Sequence, residues 1–235
     1  MIARCNKIDF YFYFLNIFHL TIVITAMTFT SRMILFDLSL FMHPFYVTGG
    51  VFIIPATFFI QDIVTEIYGY YNARKMLYIN LGIFVVYALG LYLTSLIPCD
   101  FGDYGCLSLA KISSTLPRHA ISFVISMAVG GSINNYVLSR LSLAFNERFL
   151  ALRFISSTAI GEAFFQIIAV IISWYGTHPL GDILPLALMA YIYKIFFEVL
   201  MTPINLYFCN YLKSIQTKDQ IHAFRRGYKK FILKE

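Results

Sequence analysis

The chain has 235 residues and a formal charge of +6, and 59% of it is hydrophobic against roughly 45–50% in ordinary globular chains. Charged residues are only 13%, mean hydropathy is +0.72, and aromatics reach 18%. No soluble core of this length hides so much apolar surface, and the same composition excludes disorder.

The bilayer is therefore the main solvent, and the sequence predicts an all-α, polytopic membrane protein with one domain over residues 1–235. A helical span takes about 20 mostly apolar residues to cross roughly 30 Å of hydrocarbon. Six stretches qualify: Phe10–Thr30, Pro44–Gly69, Met76–Ile97, Arg118–Ser139, Phe154–Tyr175 and Ile183–Leu212. Turn chemistry separates them, at Gly69-Tyr70-Tyr71-Asn72, at Pro98 to Asp103, and at Gly176-Thr177-His178-Pro179. The runs are continuous rather than alternating with period two, which argues against a barrel. The first is too long for a signal-peptide core and is expected to be a retained helix.

Cation placement sets the expected orientation. Arg4 and Lys7 precede the first span, Arg74 and Lys75 follow the second, and Arg140, Arg148 and Arg153 lie between the fourth and fifth. Seven more fill the basic tail over 213–235, which puts fourteen of the eighteen Lys and Arg on one face. The opposite face has only Arg32, Lys111 and Arg118. Both termini are thus expected to be cytoplasmic, and the lipid headgroups explain the charge without any nucleic acid. Cys99 and Cys106 fall in the longest outer loop, as either a disulfide or two free thiols. With no histidine or second cysteine pair beside them, no zinc site is expected.

The informative residues are the ionisable ones inside the spans, each costing about 2.5–3.5 kcal/mol at the bilayer centre. They are Asp62 and Glu66, Glu162, and Lys194 with Glu198. Asp62/Glu66, Glu162/Gln166 and Lys194/Glu198 are i,i+4 pairs, each on one helix face. Ser122, Ser126, Gly130 and Asn134 make a narrow stripe permitting close helix approach. These faces are expected to converge on a central polar cavity, although the charges could also serve simply as inter-helix pairs. His19 reads as a packing histidine, and Pro55, Pro185 and Pro203 as kinks or helix starts.

No metalloprotease, nucleophile-elbow or phosphate-loop signature is present, and no cofactor is implied. Buried acids in an aromatic bundle suit binding and translocation of a small polar molecule. Three other classes stay open: a vitamin-binding subunit needing an ATPase partner, a membrane-embedded enzyme using paired carboxylates, and an assembly protein.

Four blocks resemble one family. Pro55 followed by Asp62-Ile-Val-Thr65-Glu66-Ile-Tyr68-Gly69 and Ala73-Arg74 resembles the signature of the queuosine-precursor transporter (VUT) family. Leu116-Pro117-Arg118 with Gly130 and Asn134, Ser156-Ser157-Thr158 through Gly161-Glu162, and Tyr193-Lys194 with Glu198 to Pro203 follow in order. The resemblance runs from about Val51 to Lys213. It departs at Phe165, where many relatives carry Asp, and at Asn134, where some do.

The resemblance implies a six-helix inner-membrane importer of 7-deazaguanine precursors of the tRNA nucleoside queuosine. A guanine-like edge offers two adjacent N–H donors to one carboxylate, and its O6 suits a donor such as Lys194, Asn134 or Gln166. Its faces would stack on Phe and Tyr rings. Asp62, Glu66, Glu162, Lys194 and Glu198 are expected to form or border the site, with Arg118 at the outer mouth. The implied partners are that small molecule and the bilayer, not nucleic acid directly; homo-oligomerisation stays open.

Overall fold

The computed structural model describes residues 7–30, 32–36, 45–98, 104–176 and 179–216. Within these, five helices are long and apolar enough to cross a membrane, and the chain is a multi-pass membrane protein. They are α1 (Lys7–Thr30), α2 (Pro55–Ser95), α3 (Tyr104–Ala144), α4 (Leu150–Trp174) and α5 (Leu180–Ile215). Their apolar side chains face both ways. Phe58, Phe84 and Phe154 are fully buried, while Ile17, Val86, Phe196 and Tyr207 lie on the outside, as suits a helix solvated by lipid.

The predicted second span needs correction at its start. Phe45–Thr48 is a strand (β2) paired antiparallel with Met33–Phe36 (β1), Met33 standing opposite Thr48. A 3₁₀ turn over Gly49–Phe52 follows, and α2 begins only at Pro55. Proline suits that first helical position because its missing N–H would have no partner there. The stretch over 45–48 is aromatic and β-branched, which favours a strand; hydropathy alone does not separate it from the apolar helix that follows.

The second correction concerns Gly69. As a straight rod the 41 residues of α2 would reach about 60 Å, twice the hydrocarbon thickness. Gly69 breaks it with φ 83° and ψ 164°, a conformation open essentially only to glycine. His19 of α1 shows what the break does. Its Nδ1 accepts from Asn80 Nδ2 at 2.9 Å, and its Nε2 lies 3.5 Å from the amide of Gln61. On a straight helix residues 61 and 80 would stand about 28 Å apart. The arms 55–68 and 70–95 therefore fold back on each other, and one residue does the work expected of a four-residue loop.

The remaining helices run beyond their predicted limits. α3 continues through Pro117 instead of starting beside it, and Pro185 and Pro203 lie inside α5. α3 and α4 meet backbone to backbone: a Cβ on Gly130 would come 2.7 Å from Gly161 O, and one on Gly161 2.7 Å from Asn134 Cβ. Ser122 belongs to the same seam, donating to Ala169 O at 3.0 Å and accepting from Ser173 Oγ at 2.7 Å. The small-residue stripe of α3 thus packs against α4. Cys99, the Cys106 side chain and the tail over 217–235 lie outside what the structure describes.

Candidate functional site

The ionisable residues fall at three levels along the bundle. The first is Lys194, which α5 carries into the interior at 1% exposure. Its Nζ donates to Glu162 Oε2 at 2.7 Å and to Gln166 Oε1 at 3.1 Å, both from one face of α4. It also lies 4.1 Å from the centroid of the Phe165 ring. Carboxylate, amide and ring face together replace the ammonium's lost hydration.

Lys194 and Gln166 form the foot of a cleft of about 80 Å³. His119, Phe123, Phe165 and Trp174 line it, with Thr30, Thr48, Ser122 and Ser173 supplying hydroxyl groups. These walls come from the ends of α1 and α4, the part of α3 just past Pro117, the first half of α5 and the hairpin, so the cleft belongs to one end of the bundle. Its volume has room for a few waters and is smaller than ordinary ligand pockets of about 300–1,000 Å³, so a larger molecule enters only if the cleft widens. Arg118 lies near this end, exposed, donating to the carbonyls of Ile172 and Tyr175 at the close of α4.

At the second level Asp62 is fully buried and doubly engaged. Asn134 Nδ2 donates to its Oδ1 at 2.7 Å and Thr158 Oγ1 to its Oδ2 at 3.1 Å. Asn134 is therefore a donor to the carboxylate opposite. Glu198 reaches the same interior from α5, within electrostatic range of Asp62 and Glu162. Neither carboxylate oxygen of Glu198 has a hydrogen-bond partner among the described residues.

The third level lies at the opposite end. Glu66 accepts two bonds from Arg153, at 2.9 and 3.1 Å, and is also bonded by Lys213. Gln216 Nε2 donates to Ile67 O at 3.1 Å beside them. Here α2, α4 and α5 are tied together. Arg153 corrects its assignment to the loop between the fourth and fifth spans: it lies in the first turn of α4 and is fully buried. Its place inside the apolar run Leu150-Ala-Leu-Arg153-Phe-Ile was the signal available in the sequence. Phe165, His119, Phe123 and Trp174 carried no such signal, because aromatics abound on every helix of this chain.

A family profile described as "Putative vitamin uptake transporter" matches residues 48–208. The chain belongs to that family. No curated protein and no solved structure matches it. The matched stretch takes in the whole Lys194 cleft except α1, together with Asp62, Glu66, Arg153 and Glu198. The family description makes transport the coarse function of this membrane bundle.

Proposed function

We propose that the protein imports 7-deazaguanine precursors of queuosine, such as 7-cyano-7-deazaguanine, 7-aminomethyl-7-deazaguanine or queuine, across the cell's inner membrane for salvage into tRNA. The observation that carries this reading is Lys194, a buried ammonium held in place by Glu162, Gln166 and Phe165 yet lining a cleft walled by aromatics. A flat heterocycle entering that cleft stacks between the rings of Phe123, Phe165 and Trp174 and offers its O6 to Lys194. Glu162 Oε1, buried without a partner, supplies an acceptor for the base's N–H edge once Lys194 turns to the ligand. A site of this kind rejects analogues lacking the matching donors, since its buried polar groups would stay unpaired.

In this reading the two arms of α2 count as separate spans, giving six with both termini cytoplasmic. The cleft then faces outward, and the Glu66–Arg153–Lys213 cluster closes the cytoplasmic side. The family description favours a second cargo class, a vitamin. The deciding experiment measures queuosine in tRNA of a cell that cannot make the precursor and carries this protein as its sole importer. Modification should depend on supplied precursor and vanish in Lys194→Ala at equal membrane abundance. Full modification in that variant overturns the reading, and competition by a vitamin but not by the bases establishes the second one.

A further inference from the structure

We infer that Glu198 carries a proton and that this proton is co-transported with the cargo; the co-transport half rests on the importer reading above. Asp62 and Glu162 are the charges within reach of Glu198, and the other interior charges come from several elements. α2 supplies Asp62 and Glu66, α4 supplies Glu162 and Arg153, and α5 itself supplies Lys194 and Lys213, while α3 supplies the neutral Asn134 and Asn135. Among the described residues, four carboxylates thus share two buried cations, Arg153 and Lys194, and the part-exposed Lys213. Glu162 has Lys194, and Glu66 has both Arg153 and Lys213. Asp62 has no cation but receives two donors, from Asn134 and Thr158, which suit an ionised carboxylate. Of these four, Glu198 alone has neither among the described residues: it is 1% exposed, and both of its oxygens lack a donor there.

A carboxylate so placed has lost water and gained nothing in exchange, whereas the neutral acid tolerates the site. With Asp62 held by two donors, one proton on Glu198 neutralises the buried carboxylate that has neither donor nor cation among the described residues. A bound metal ion is not favoured, since no group of three metal-ligating side chains is present among the described residues.

The position of Glu198 also supplies the coupling. Lys194 lies one turn before it on α5 and is paired with Glu162, whose charge reaches Glu198. Cargo that draws the Lys194 ammonium toward its own acceptor leaves Glu162 less neutralised, and that uncovered charge favours a proton on Glu198. By linkage each ligand then strengthens the other, so cargo and proton travel together. Per cycle, one proton binds the Glu198 carboxylate from the outer side and leaves it to the inner side, with no covalent change in the cargo.

Two measurements on purified protein in lipid test this. Infrared spectra should show a carboxylic-acid C=O band, sensitive to D₂O, that is lost in Glu198→Gln and kept in Asp62→Asn and Glu198→Asp. In proteoliposomes, labelled 7-cyano-7-deazaguanine should accumulate about tenfold per pH unit of an inward proton gradient. Glu198→Gln should equilibrate the label without accumulating it, and Glu198→Asp should restore accumulation. Absence of the band from the wild type, its loss in Asp62→Asn instead, or gradient-driven accumulation by Glu198→Gln overturns the inference. Wild type that shows the band but neither binds nor moves the base keeps the proton on Glu198, removes its coupling to this cargo and defeats the importer reading instead.

Discussion

The ammonium of Lys194 lies 4.1 Å from the centroid of the Phe165 ring. A ring face attracts a desolvated cation without adding a negative charge to the interior. With Glu162 already opposite Lys194, an acid at this position would add a second negative charge against one cation. Phe165 also packs edge-on against Phe58 and Phe123, so it joins the cleft to the core. Phe165→Leu should keep the fold but weaken cargo binding by roughly threefold to thirtyfold, the equivalent of about 0.5–2 kcal/mol. Substrate titration of uptake rates, read as a KM increase with membrane abundance unchanged, checks it.

Removing one partner of the Lys194–Glu162 pair strands the other. Lys194→Met should destabilise by about 3–5 kcal/mol, because Glu162 is left as an uncompensated buried charge. Adding Glu162→Gln should recover most of that loss while leaving transport abolished. Thermal unfolding in detergent alongside uptake separates the two effects. A double variant as unstable as Lys194→Met removes the ion-pair explanation.

The two cations on Glu66 should differ in weight. Arg153 is fully buried and bidentate, whereas the Lys213 side chain is 37% exposed. Arg153→Met should cost about 3–5 kcal/mol and Lys213→Met about 0–1 kcal/mol. Only the Lys213 effect should shrink as salt is raised. Unfolding midpoints of the two variants at low and high ionic strength make the comparison.

What the sequence disclosed follows from what hydropathy can register. It found the apolar stretches and, Arg153 apart, the buried charges, because the cost of a charge in oil does not depend on tertiary detail. It assigned His19 to packing, and the bonds to Asn80 and Gln61 bear that out. It could not distinguish the strand at Phe45–Thr48 from the helix after it, since both are apolar. It also could not tell that the charge pairs separate into levels. An i,i+4 spacing puts Asp62 and Glu66 on one face, but which neighbour each meets depends on where α3, α4 and α5 cross that face. Asp62 meets Asn134 and Thr158, whereas Glu66, one turn on, meets Arg153.

The crossing of α3 and α4 depends on two absent side chains. Gly161→Ala should push its new methyl against Asn134 and Gly130 O and cost about 1–3 kcal/mol. It should also disturb the Asn134–Asp62 bond, which shares that crossing. Gly82→Ala is the control, because nothing lies within 4 Å of its would-be Cβ and the helix gains alanine's propensity. Equal thermal stability of the two variants removes the close-approach argument.

Gly69 should be the least replaceable residue of α2. At φ 83° and ψ 164° an alanine is strained by about 1–3 kcal/mol whatever space surrounds it. Relief by straightening α2 would pull Gln61 and Asn80 away from His19, so Gly69→Ala should lose folded protein rather than shift it to a new fold. The fold-back also bears on the number of spans. Tyr71 lies just past the break and is 73% exposed, while Leu96 lies past the end of α2 and is 61% exposed. If the two arms cross the membrane separately, cysteines placed at these positions in a cysteine-free background should react with an impermeant maleimide from opposite sides of sealed vesicles. Tyr71→Cys should label from the cytoplasmic side. Labelling of both positions from the same side would reduce the count to five and reverse the assignment of the cleft's end for one half of the bundle.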